Sequence, residues 1–315
     1  MAGTEIEQFL GAGRELADRK GLPTSHPRIN RSWSPREVHT IKLGTMLGQV
    51  AIMPQQTDRV SLVGYGGDEL MINHLRANVQ GGVLYVEGEL PFKPGHSGGF
   101  GNGSYNVFGD GIVITGGSVH IGGSFSSGGR GGQRMLIVNG REVDLSRYIQ
   151  LALIVPVGIN VRIGDMVGAV GIGPNLGGTL DFSARFDTHV FAYDVTELTG
   201  EVSGQGHAEV QSVRDSADIH VSGQGDFVLG SVGGKFDAHV SGQGNIRVGG
   251  GNSRSMRARV SGQGSIGHHG TVLGSATLKV SGMGSINAFR VSGDVDARVT
   301  GMGQIVANGR VYHSR

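Results

Sequence analysis

The chain has 315 residues, with 59 glycines, one tryptophan, 17% charged residues and a net charge of +1. At 37% hydrophobic it carries enough Val, Ile, Leu and Phe to bury a core, which excludes disorder by composition. The near-zero charge offers no general attraction to nucleic acid or anionic membrane, and the absence of cysteine excludes disulfides, thiolate zinc sites and cysteine nucleophiles.

Residues 1–21 read as an N-terminal α-helix. Thr4-Glu-Ile-Glu7 is a capping box, Gly21 can end the helix, and Ile6, Phe9, Leu10, Leu16 and Ala17 gather on one face. Such a helix either packs on the fold and hides an open end, or serves assembly. The extreme N-terminus has acids where a signal peptide needs a basic region and an apolar run. No stretch is long enough for a transmembrane helix. The chain as written is therefore expected in the cytoplasm, and at the envelope or outside the cell if a precursor segment has been removed. Residues 22–37, with Pro23, Pro27 and Pro35, read as a linker.

Residues 38–93 form a first β segment. His39-Thr-Ile-Lys-Leu-Gly, Gly48-Gln-Val-Ala-Ile-Met, Arg59-Val-Ser-Leu-Val-Gly and Gly82-Val-Leu-Tyr-Val-Glu all alternate apolar and polar residues. Residues 94–133 are a glycine-rich insertion, expected to be partly ordered, with two β patches at Ile112-Val-Ile-Thr and Val119-His-Ile. Strands resume at Arg134-Met-Leu-Ile-Val, Gln150-Leu-Ala-Leu-Ile-Val and Asn160-Val-Arg-Ile, and are expected to run into a repeat region reaching residue 310. Residues 311–315 are a tail.

The repeat is the strongest signal. Val202-Ser-Gly-Gln-Gly206, Val221-Ser-Gly-Gln-Gly225, Val240-Ser-Gly-Gln-Gly244, Val260-Ser-Gly-Gln-Gly264, Val280-Ser-Gly-Met-Gly284 and Val299-Thr-Gly-Met-Gly303 recur every 19 or 20 residues. An alternating segment precedes each phrase, as in Phe236-Asp-Ala-His-Val240, and a short apolar segment follows, as in Asp226-Phe-Val-Leu. Each unit is thus strand, glycine corner, strand and return loop. Two glycines per phrase would cost a helix about 2 kcal/mol relative to alanine, which argues against a helical solenoid. The fold is expected to be all-β: a single-stranded β-helix or β-solenoid of about 20 residues per coil, with rungs about 4.8 Å apart.

Stacking predicts ladders. The phrase valines form an inward column. Gln205, Gln224, Gln243 and Gln263, continued by Met283 and Met302, form a second. The serines and Thr300 form a third, able to bond to the corner backbone. The structural glycines of the corners are Gly204, Gly206, Gly223, Gly225, Gly242, Gly244, Gly262, Gly264, Gly282, Gly284, Gly301 and Gly303. They are expected to supply positive φ and close approach of neighbouring backbones.

The serial Val-Ser-Gly-x-Gly phrase resembles the GIN domain, the head of autotransporter adhesins, within a wider family of adhesin-like β-solenoids. Asp58-Arg-Val-Ser-Leu-Val-Gly, Gly81-Gly-Val-Leu-Tyr-Val-Glu-Gly and Leu153-Ile-Val-Pro-Val-Gly-Ile-Asn are similar to that family's upstream segments. The resemblance covers roughly 38–93 and 134–310. It implies a right-handed β-helix-like stack, no catalytic residues and a place at the cell envelope. Gln or Met stands here where Ser is usual in the repeat phrase, and no export signal precedes it.

The remaining motifs fall short of catalytic or ligand-binding patterns. Gly230-Ser-Val-Gly-Gly-Lys235 lacks the glycine register and the hydroxyl of a phosphate loop. Gly171-Ile-Gly173 has no βαβ unit around it. The residues after each corner, His207, Asp226, Asn245, Ser265, Ser285 and Gln304, include one acid, too few for a calcium β-roll. His220 and His239 should stack on the outer face, a spacing that suits either a shared transition metal or two solvated side chains. Asp218 and Asp237 stack likewise, the one candidate pair for a carbohydrate-active enzyme.

No catalytic, cofactor or metal residues are nominated, and no cofactor is expected. A basic column of His220, His239, Arg259, Lys279 and Arg298 is the candidate binding face. The expected role is a non-catalytic, adhesin-like interaction protein. Its partners are itself, as a homo-oligomer, or a protein or glycan. The alternatives are a carbohydrate-active β-helix enzyme and a glycan-binding surface adhesin.

Overall fold

A computed structural model describes residues 17–18, 29–65, 75–88, 104–107, 112–115, 118–121, 135–138, 141–144, 149–184, 188–204 and 206–314. The helix expected over 1–21 lies outside these residues apart from Ala17 and Asp18. Of the described strands, 23 belong to a β-solenoid of about seven turns.

Each regular coil contributes one strand that runs into the glycine corner and one that leaves it. The resulting stacks are the entry face and the exit face. The entry face contains Leu180–Ala184, the last part of Thr188–Val202, the last part of His207–Val221, then Lys235–Val240, Ser255–Val260, Ala276–Val280 and Val295–Val299. The exit face contains the first parts of Thr188–Val202 and His207–Val221, then Asp226–Val232, Asn245–Gly250, Ser265–Val272, Ser285–Val291 and Gln304–Ala307. All these pairings are parallel, and Val202, Val221, Val240, Val260, Val280 and Val299 stand in register.

Alternation of side chains fills the space between the faces. The core columns mix large and small residues. Phe182, Gly200, Ile219, Ala238, Ala258 and Leu278 line the entry side, opposite Ala208, Phe227, Ile246, Ile266 and Ile286 on the exit side. The ring of Phe227 uses the space at Gly200, where a Cβ would stand 2.6 Å from the ring, and stacks on Phe182 at 5.6 Å.

The glycine corners differ from expectation in one respect. Among the corner glycines only Gly204 has a positive φ, of 85°. The others are required by proximity. A Cβ on Gly223 would lie 2.3 Å from the carbonyl oxygen of Gly204, and one on Gly242 would lie 2.2 Å from that of Gly223. Backbone bonds between successive corners cause this approach: Ser222 N–H donates to Val202 C=O at 2.9 Å, and Gln224 N–H to Gly204 C=O at 2.8 Å. Backbone therefore does the work assigned to the serine hydroxyls. The glutamine ladder does form, but at the long limit: Gln224 Nε2 donates to Gln243 Oε1 at 3.4 Å and Gln243 Nε2 to Gln263 Oε1 at 3.5 Å.

The N-terminal half uses the same two faces with a different chain order. On the entry face Thr40–Leu43 lies between Val83–Glu87 and Asn160–Ile163, parallel to both. On the exit face Met46–Gln55 lies between Ile149–Pro156 and Met166–Ile172. Residues 40–55 thus form a coil of the same stack that residues 149–172 continue. Antiparallel strands close both ends: Ile29–Trp33 on Val60–Tyr65, Arg76–Gln80 on Val83–Glu87, and Arg310–Tyr312 on Gln304–Ala307. Trp33, Val79 and Tyr312 pack against the core there. These strands cap both ends of the stack.

Ala17 instead lies against the outer side of the exit face. It is buried, its carbonyl oxygen is 3.1 Å from where a Gly173 Cβ would stand, and the Tyr193 hydroxyl donates to Asp18 Oδ1. Ala51 and Ala169 form a small buried cluster of their own, apart from the main core.

The strand expected at Arg134-Met-Leu-Ile-Val does not join the solenoid. Met135–Val138 and Arg141–Asp144 form a separate five-stranded sheet with Ser104–Val107, Ile112–Thr115 and Ser118–Ile121 from the glycine-rich insertion.

Candidate functional site

On the entry face every second residue points outward. The position just before each phrase valine reads Glu201, His220, His239, Arg259, Lys279 and Arg298, each directly in register with the next. The basic column nominated from sequence is thus assembled as a single row. Two residues earlier the row reads Thr199, Asp218, Asp237, Arg257, Thr277 and Asp296. A row that is basic from His220 onward and a mixed row with three aspartates run side by side up the stack.

The charges are unevenly compensated. Lys235 Nζ is 2.7 Å from Asp237 Oδ2, with Arg257 at 4.0 Å from the same oxygen, and Arg298 Nε donates to Asp296 Oδ1 at 3.3 Å. Among the described residues Arg259 and Lys279 have no carboxylate partner. Two adjacent rungs therefore present Arg257, Arg259 and Lys279 with no acid on either strand's outward side. His220 and His239 stack with ring centroids 4.7 Å apart. Burial, then His220 and Arg259 nearby, hold the His239 imidazole below its ordinary pKa. The hydroxyls of Ser241, Ser261, Ser281 and Thr300 are exposed one step further toward the corner, and Ser261 Oγ lies 3.4 Å from His239 Nε2.

The other candidate chemistries come apart. Asp218 and Asp237 are in register, but Asp237 is held by Lys235 and Arg257, an ion-paired surface rather than a proton-transfer pair. The same contact occupies Lys235, the lysine of the phosphate-loop-like segment. Among the described residues no group of three or more metal-ligating side chains comes together, so the His220–His239 pair stands without a third ligand. His268 and His269 point opposite ways, as neighbours on a strand do. His268 is buried, 2.8 Å from Ser253 Oγ and tilted against the Phe236 ring, and burial lowers its pKa.

A second ladder forms at the position after each corner, which the sequence showed as a row but not as a bonded one. The residues that follow each corner, His189, His207, Asp226, Asn245, Ser265, Ser285 and Gln304, stand in register on the exit face. Asn245 donates to Asp226 Oδ1 through its backbone N–H at 3.2 Å and its Nδ2 at 2.8 Å, and Ser265 Oγ donates to Asn245 Oδ1 at 2.7 Å. His207 is largely buried beside His189, with ring centroids 6.5 Å apart, and its pKa is lowered to about 4, chiefly by desolvation and then by His189. Read as a calcium motif this position fails, because its residues change type from coil to coil. Its signal was the unbroken polarity of a half-buried position.

A structure described as a putative adhesin from Parabacteroides merdae is similar over 89% of this chain and 95% of its own, at 14% identity and a TM-score of 0.53. A putative adhesin from Bacteroides fragilis aligns over 91% of this chain and 100% of its own (18% identity, TM-score 0.48). A putative lipid binding protein from Parabacteroides distasonis aligns over 89% and 96% (14% identity, TM-score 0.48). At such identities the likeness is one of fold. No curated protein matches the chain. Residues 181–310, the stretch that holds all six corner phrases, match the family described as "Putative auto-transporter adhesin, head GIN domain".

Proposed function

We propose that this protein is a non-catalytic, adhesin-like β-solenoid that binds itself or a partner through its entry face, at the cell envelope or outside the cell. The observation that carries this reading is the in-register outward surface of the repeat region. The row from Glu201 to Arg298 repeats one side-chain position on successive rungs. A surface of that kind suits recognition of something extended or repetitive, because each rung offers an equivalent contact. It does not suit acid–base catalysis, which needs convergent groups of different pKa in a sheltered site. The family description and the adhesin-named structural neighbours support the same direction.

The test has two parts. Fractionation of producing cells, with protease treatment of intact cells, should recover the chain in the envelope or medium and leave it accessible. Beads coated with the purified protein should adhere to cells or matrix. Replacing Arg259 and Lys279 by Glu should abolish that adhesion while the circular dichroism spectrum is retained. Protein found only in the cytosol, or adhesion indifferent to the entry face, overturns the reading.

A further inference from the structure

We infer that the entry face binds an anionic polysaccharide lying along the solenoid axis, one acidic group per rung, at Arg259, Lys279 and Arg298. The inference rests on the interaction reading above and names its ligand class.

Three observations carry it. First, the three cations are in direct register on consecutive strands, so their spacing is the strand spacing of about 4.8 Å. Like charges held that close repel one another. An anion at each rung relieves the repulsion, whereas Arg259 and Lys279 have no carboxylate of their own among the described residues. Second, the cations are bordered on the corner side by Ser261, Ser281 and Thr300, one exposed hydroxyl per rung. Charge and hydroxyl repeat together, which matches a chain of sugars carrying an acid and free hydroxyls on each residue. Guanidinium and ammonium supply charge-assisted hydrogen bonds to the acid, and the hydroxyls donate to or accept from the ring substituents.

Third, the surroundings disfavour the other polyanions. Apart from His220 and His239, the outward residues of the entry face from Thr199 to Arg298 include no aromatic ring on which a base stacks. Asp237 ends the cationic stretch on one side, and Asp296 pairs with Arg298 at its other end. The complementary stretch spans about three rungs, so the ligand engages through a short run of sugars.

The probe is a size series of oligogalacturonates, from monomer to hexamer, titrated calorimetrically into the full chain at low and moderate salt. Binding should be undetectable for the monomer, appear at three or four sugars and weaken at least tenfold when salt is raised. Arg259→Ala combined with Lys279→Ala should weaken it at least tenfold. Ser261→Ala with Ser281→Ala should weaken it a few fold. Arg247→Ala, on the exit face, should leave it unchanged. Sulfated dextran in a parallel arm separates carboxylate from sulfate: tighter binding of either, lost in the Arg259/Lys279 variant, supports an anionic polysaccharide at this site. Equal binding of neutral dextran, equal loss in the Arg247 variant, or no binding of any anionic glycan overturns the inference. If glycans fail while coated beads still adhere through the entry face, only the ligand class is wrong; if the beads fail as well, the interaction reading falls with it.

Discussion

Residues 188–312 and residues 29–184 build the same two faces by different routes. In the first region chain order and stacking order coincide, and each coil lies on the one just before it in sequence. In the second, Thr40–Leu43 lies between Val83–Glu87 and the distant Asn160–Ile163, Met46–Gln55 lies between the distant Ile149–Pro156 and Met166–Ile172, and antiparallel strands finish the end. A parallel rung accepts any strand with the right alternation and length, because its backbone bonds are indifferent to side-chain identity. The difference lies in what holds the corners. The repeats use a glycine whose Cα sits on the backbone of the coil before it. In the N-terminal half positive-φ glycines stand elsewhere: Gly158 in the return loop between Ile149–Pro156 and Asn160–Ile163, and Gly81 and Gly82 in the hairpin that closes that end.

The largest expected effect tests that contrast. Gly242→Val should destabilise by about 4 kcal/mol or more, since its Cβ would meet the Gly223 carbonyl oxygen at 2.2 Å and neither backbone can retreat without breaking the ladder. Gly158→Ala, in open space at a φ of 92°, should cost only about 1–2 kcal/mol of backbone strain. Thermal or denaturant unfolding measures both, and equal losses would erase the distinction. Phe227→Ala should cost about 3–5 kcal/mol, because the space beside Gly200 was shaped by that ring. An effect below 1 kcal/mol would mean the repeat core is plastic.

The exit-face ladder predicts a pH dependence. His207 titrates at about 4 in the folded chain and near 6.5 when unfolded. Between these values the unfolded state binds the additional proton, so stability is full above pH 6.5 and falls as pH drops toward 4. The shift corresponds to about 3 kcal/mol. His207→Gln should flatten the fall in melting temperature over that window. An unchanged pH profile would assign the loss to other groups, of which buried His268, shifted in the same direction, is the first to test. Smallest of all, Gln243→Ala should cost about 0.5 kcal/mol or less, its two amide contacts being exposed and at the limit of hydrogen-bond length.

Legibility followed periodicity. The phrase valines, the alternating strands and the basic row from His220 to Arg298 were readable because stacking turns a fixed spacing into contact. The reason for the corner glycines was only half readable. Positive φ and close approach leave the same residue in the sequence, and the carbonyl of the coil beneath decided between them. The polar row from His189 to Gln304 was overlooked as a ladder because its chemistry varies along the stack while its position does not. Met135–Val138 is an unbroken apolar run like Leu151–Val155 of the solenoid, so nothing local assigned it to a different sheet.

Alone, the amino-acid order determined the coil: a period of 19 or 20 residues, two strands and a corner, with apolar side chains turned inward, all set by interactions within one repeat and its immediate neighbour. Tertiary structure decided which distant segment completes each N-terminal coil, what closes the ends, and where Ala17 rests. Those outcomes depend on competition among many strands of nearly equal backbone energy, and packing volume and chain connectivity, which no short window contains, select the winner.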